Sequence, residues 1–190
     1  AIYPVGGAIG GLLPQLLAAA ALAADPDTAL ARALALLRAI AGRPAYLALL
    51  DEQRGARERL LSVCARSAFL AGRVTAHPLL LDDLLDTRVG RALPDAAALA
   101  TELAQRLAAA GGDAEEEFGA LHELKQSTLF RLGLAWLDGR IAADELSMRL
   151  ATLADVIVQR VLDLALRDTV AAHGRIAPGQ ADRKSACVLF

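Results

Sequence analysis

Three clusters of titratable side chains are candidates for chemistry. His77 is followed by Asp82, Asp83 and Asp86, and Asp82 and Asp86, four residues apart, share one face of a helix. An imidazole beside carboxylates is a combination used for metal ligation and for general acid–base work. The same spacing describes a solvated carboxylate face just after a helix start, and that is the reading adopted. Glu115, Glu116 and Glu117 form an acidic run. They fall in the first turn of a helix, where the macrodipole favours negative charge, and this accounts for them without a metal. His122 lies four residues before Gln126, so the pair reads as an exposed or hydrogen-bonded histidine rather than a ligand set. His173 sits on a different element.

The remaining motifs are weaker. The "GGAIGG" stretch, residues 6–11, has the glycines of a phosphate loop, but no strand precedes it and no lysine follows. No nucleophile elbow, HExxH, P-loop or GxGxxG is present. Cys64 and Cys187 stand far apart, in no CxxC pair and with no Cys/His metal spacing. They read as thiols of a reducing compartment, the cytoplasm. Basic residues are scattered singly, without interleaved aromatics, which argues against nucleic acid as a partner. Taken alone, the residues supply no catalytic, cofactor-binding or metal-binding position.

The elements that would hold such residues are helices. Among 190 residues there are 43 Ala and 37 Leu, and aromatics are only 4%. Ala and Leu favour helix, whereas strands prefer β-branched and aromatic residues. With 20 Lys+Arg against 22 Asp+Glu the chain is close to neutral, which excludes a strongly basic or acidic tail protein. The first 24 residues carry no charge. Pro4, Gly6, Gly7, Gly10, Gly11, Pro14 and Gln15 interrupt them, and no positive n-region precedes them, so neither a membrane helix nor a signal peptide is expected. A glycine-rich lead over 1–11 is followed by a helix from Leu12 to Ala24, with Pro14 in its first turn.

Further helices are expected at 28–41, ended by Gly42 as a C′ residue, then at 44–52, 54–66, 67–76 and 78–85. His77-Pro78 breaks the chain between the last two. After a linker over 87–94, helices run from Asp95 to Ala110, Asp113 to Leu137 and Ala143 to His173, the last ~45 Å long. Their apolar stripes are Leu99, Leu103 and Leu107; then Phe118, Leu121, Leu129, Leu132 and Trp136; then Leu146, Leu150, Leu153, Ile157, Val161 and Leu164. Three long helices with short connections pack antiparallel. The final run, residues 185–190, is continuous and apolar, the pattern of a buried strand without a partner.

Two segments resemble a known family. Residues 43–86, with Gly42 and Arg43 before Tyr46 and Leu47, end in the run His77, Pro78, Leu80, Leu81, Asp82, Leu84, Leu85 and Asp86. This is similar to the central segment of the glutamine synthetase adenylyltransferases, which also act as adenylyl-removing enzymes. Lys125, Gln126, Arg131 and Gly139 match a second segment of that family, while Leu124, Leu132 and Trp136 depart from its phenylalanine, isoleucine and aspartate.

The resemblance implies an all-α chain of short, then long antiparallel helices, with one terminal strand that belongs to a nucleotidyltransferase domain. Residues 12–90 would be a regulatory linker, 91–175 a long-helix bundle, and 176–190 a loop and first strand. The parent enzyme would use ATP and Mg²⁺ on a Gly-x-Gly-Lys-Leu-Gly-Gly loop and an Asp-x-Asp pair, none of which lies in this chain. It would act on glutamine synthetase under PII-type signal proteins, in the cytoplasm, with no nucleic acid or membrane partner. The alternative is a helical module that binds a protein or small ligand and is unrelated to nucleotidyl transfer.

Overall fold

The computed structural model describes residues 5–85 and 93–174, and every regular element among them is helical. The expected terminal strand, Cys187, Asp86 and most of the 87–94 linker lie outside the described residues. No described helix is long and apolar enough to cross a membrane.

Six helices form a head: α1 (Val5–Ala20), α2 (Pro26–Ala39), α3 (Pro44–Glu52), α4 (Arg54–Arg66), α5 (Ala68–Ala76) and α6 (Leu81–Leu85), the last entered through a 3₁₀ turn at Pro78–Leu80. Three more helices follow: α7 (Ala96–Ala109) and the two longest, α8 (Ala114–Leu137) and α9 (Ala143–His173).

The starts are set by caps. Asp25, Ser67, Asp95 and Asp113 each accept from the backbone N–H three residues on, at 2.8–3.1 Å. Pro26 and Pro44 occupy first-turn positions where a missing N–H costs little. The end of α8 is a Schellman motif. Gly139 donates to the Trp136 carbonyl and Arg140 to the Ala135 carbonyl, with Gly139 at φ +71°.

Helix α1 differs from expectation. It begins at Val5, so residues 6–11 are helical and Pro14 stands in the helix interior rather than its first turn. There Pro14 has no N–H for the carbonyl four residues earlier. Gly42 lacks the left-handed φ of a C′ residue. The second helix ends instead at Ile40, whose N–H bonds back to Leu36 and Arg38.

The cores explain why α8 matters. The head core gathers Leu12, Leu16, Leu36, Ile40, Leu50, Leu60, Val74, Leu81 and Leu84, together with Phe130 and Leu137 from α8. A second core joins Leu99, Leu103 and Leu107 of α7, Leu121 and Leu124 of α8, and Leu153 and Leu164 of α9. A third, small core places Leu132 and Ala135 of α8 against Ile141, with Leu93, Leu146 and Leu150 packed beside them. One helix therefore enters all three.

This makes the expected α8 stripe only half right. Leu121 and Leu132 are buried, but Phe118 and Trp136 are about half exposed. The burial of Phe130 and Leu137 on the head side was not foreseen. In α2 the buried face is Ala29, Ala33, Leu36, Leu37 and Ile40, with Leu30 and Leu34 only partly covered. The small alanines let α2 lie close to α4 and α5.

Close approach also explains Gly133, where a Cβ would sit 2.7 Å from Leu70 Cδ2 of α5. Gly72 and Gly119, also helical, have open space at that position. Gly72→Ala and Gly119→Ala should each raise stability by about 0.5–1 kcal/mol. Gly133→Ala should gain less than either, because the Leu70 side chain must shift to admit the methyl group. Urea unfolding of the three variants checks the contrast.

Candidate functional site

The seam between the head and α8 carries the densest polar cluster on resemblance-bearing residues. Arg73 of α5 donates Nη1–H to Gln126 Oε1 at 2.5 Å. Gln126 is only 6% exposed. Its Nε2 lies 3.1 Å from His122 Nε2, one turn earlier on α8. The His122 ring meets that of His77, with centroids 5.7 Å apart and planes tilted by 59°. Behind them the Arg73 guanidinium lies over the Phe69 ring, 5.1 Å from its centroid.

The arrangement fixes its own hydrogens. Arginine only donates, so the Gln126 oxygen must face it. The Gln126 NH₂ then faces His122 Nε2, which must be the unprotonated nitrogen of a neutral ring, with the proton on Nδ1. One hydrogen bond, from Arg73 to Gln126, crosses the seam, and the Gln126–His122 contact continues it along α8.

At the other end of the seam α4 holds the C-terminus of α8. Arg66 donates to the Leu137 carbonyl, and Arg59 pairs with Asp138 at 3.7 Å. Positive charge there suits both the macrodipole and a carbonyl without an intrahelical partner. Arg57 does the same for α3, reaching the Leu50 and Asp51 carbonyls at 2.7 and 2.6 Å.

The sequence-derived candidates fall into different places. Within the group of His77 with Asp82, Asp83 and Asp86, His77 and Asp82 face different partners. His77 turns to His122, whereas Asp82 accepts from the Tyr46 hydroxyl at 2.9 Å. Burial, with help from the Asp82 contact, pushes the Tyr46 phenol above its usual range. Glu115 and Glu116 are exposed in the first turn of α8, as expected.

Glu117 departs from that reading. It is 3% exposed and accepts two bonds from Arg167 of α9, at 2.9 and 2.7 Å. The bidentate bond from Arg167 holds its carboxyl below the usual range. The sequence signal was an arginine near the end of α9, fifty residues on, which no local pattern connects to Glu117. Cys64 is buried, and desolvation pushes its thiol up to about 12. Residues 6–11 are helical, a conformation that is no phosphate-cradling loop.

Arg73 and His122 were not singled out together by sequence reasoning. The available signal was that the His77 and Gln126 segments both carried the resemblance.

Comparison with known proteins covers both of these segments. A family model described as glutamate-ammonia ligase adenylyltransferase matches residues 57–189. A protein of Xanthomonas campestris pv. campestris named bifunctional glutamine synthetase adenylyltransferase/adenylyl-removing enzyme is 49% identical over 168 residues, 88% of this chain and 18% of its own length. Proteins with the same name from Stenotrophomonas maltophilia and Pseudomonas putida are 48% and 39% identical over 89% and 88% of the chain. The chain thus spans less than a fifth of the length of these relatives.

The Glu117 geometry has a pH signature. A carboxylate whose folded pKa is depressed contributes stability that is complete above its unfolded value, about 4.3, and is lost as pH falls through the folded value. The stability gap between the wild type and Glu117→Gln should therefore be largest near neutrality and shrink on acidification below about pH 4.3. Urea titrations from pH 7 to pH 3 measure it.

Proposed function

The chain belongs to the glutamate-ammonia ligase adenylyltransferase family, and from that premise we propose that it is a helical, non-catalytic module of an enzyme that attaches AMP to glutamine synthetase and removes it. The observation that carries this reading is the meeting of the resemblance-bearing segments. Tyr46 bonds to Asp82, His77 stacks near His122, and Arg73 reaches Gln126. Tyr46, His77, Asp82 and Gln126, which carry the resemblance, thus help, with Arg73 and His122, to fix how the helices sit on one another.

The nucleotidyl transfer, with its ATP and Mg²⁺, belongs to adjoining nucleotidyltransferase domains. Among the described residues no three His, Cys, Asp or Glu side chains come together as a metal-ligand set. Residues 12–90 form the regulatory linker that answers to PII-type signal proteins. Residues 91–175 form the bundle on which a transferase domain packs, and 176–190 lead into that domain. The protein works in the cytoplasm, on glutamine synthetase.

The packing surface in this reading is the outer face of α9. Val158, Leu162, Leu166 and Val170 recur every four residues and are exposed. An exposed apolar row of this length is characteristic of a face that another element covers.

AMP transfer from labelled ATP to glutamine synthetase, measured with the protein expressed from its complete gene, tests both parts. The complete protein is expected to transfer AMP. Combined Leu162→Asp and Leu166→Asp should reduce the rate about tenfold or more with helix content unchanged. A complete protein that transfers no AMP overturns the assignment, and a double variant with full activity overturns the packing role of α9.

A further inference from the structure

We infer that the Arg73–Gln126–His122 chain is a latch that makes the head and the three-helix bundle respond as one unit, so that a change in either is felt by the other. This inference stands on the seam geometry and does not rest on the activity proposed above.

Three features carry it. The first is that Gln126, the middle of the latch, is buried, with Arg73 half-buried on one side of it and His122 exposed on the other. Both ends of the Gln126 amide are engaged, one by Arg73 and one by His122. A shift of α5 along α8 that removed Arg73 would leave the amide oxygen of the buried Gln126 without its donor, which is costly. The seam therefore favours a made or a broken state over intermediate ones.

The second feature is placement. Leu124 and Leu121 lie two and five residues before Gln126 on the same helix, and both are buried in the bundle core against α7 and α9. Phe130, four residues after Gln126, is buried in the head core. A displacement of the seam must move groups packed into both cores. The third is the close approach at Gly133, about two turns from Gln126, where a Cβ would meet Leu70 Cδ2 of α5 at 2.7 Å.

The coupling must be reciprocal, because it is a free energy shared by two parts of one molecule. The latch has a spectroscopic signature in the His122 tautomer, with the proton on Nδ1 and Nε2 as acceptor.

Native-state hydrogen exchange on the full chain, with ¹⁵N spectra of the His122 ring, tests the proposal. In the wild type the slowest amides of the head (Leu60, Leu61) and of the bundle (Leu103, Leu153) should exchange with the same protection, within about threefold, as members of one cooperative unit. The His122 ring should show the Nδ1–H form. In Gln126→Leu that ring signature should disappear, and the two sets of amides should diverge by about tenfold or more. Arg73→Lys, which keeps the charge but loses the planar fork, should give a smaller divergence in the same direction and serves if Gln126→Leu fails to fold. Two sets that already differ tenfold in the wild type, two sets that stay together in both variants, or an Nε2–H tautomer in the wild type would overturn the proposal.

Discussion

Leu124 and Phe130 lie less than two turns apart on α8, yet they are buried in different cores. That sharing is the constraint on which the rest of the fold depends. A helix that faces one core needs one apolar stripe and can leave the other side polar. Helix α8 faces the bundle early and the head late, and its buried residues include Glu117, Gln126 and Thr128 among the leucines. A buried polar group is costly without a partner; the Thr128 hydroxyl has no hydrogen-bond partner, but the other two do. Glu117 finds Arg167 on α9 and Gln126 finds Arg73 on α5. The polar contacts are thus consequences of placing one helix between two packed bodies, and they fix its rotation and register against each.

Short helices impose a second demand. A nine-residue helix such as α3 has four carbonyls at its C-terminus without intrahelical partners. In the head these are answered by arginines from neighbouring elements. Arg57 reaches the end of α3, Arg32 the Cys64 carbonyl near the end of α4, and Arg66 the end of α8. The long aliphatic stem of arginine lies on apolar surface while its fork reaches the carbonyl. A chain with little aromatic residue and much leucine can then pack many short helices without leaving their ends bare. Some of the basic residues that look scattered in the sequence are thus placed at helix ends, while Arg54, Arg106, Arg149 and Arg167 pair with glutamates.

Helix positions were legible where local chemistry decides them. Asp95 and Asp113 announced their helices, and Gly139 announced the end of α8. The α9 bounds followed from a long periodic pattern between Ala142 and Gly174. The start of α1 was not legible, because glycines and Pro14 lower helix propensity and only tertiary packing of Leu12 and Leu16 offsets that. The roles of Phe118, Trp136, Phe130 and Glu117 were not legible either. Apolar residues surround α8, so periodicity cannot tell which side meets which core. The seam was visible only as two family-like segments, and their contact is a tertiary fact that one sequence does not encode locally.

The head is held to α8 from Gln126 to Asp138 by polar bonds at both ends and by apolar packing between them. The central claim is that head and bundle keep one fixed arrangement. Spin labels at Ala48 on α3 and Ala104 on α7, both exposed, with the native thiols replaced, measure it by pulsed electron–electron dipolar spectroscopy. A single narrow distance distribution is the expected result. A broad or two-peaked distribution in the folded protein would show the head moving independently of α8 and would contradict the account.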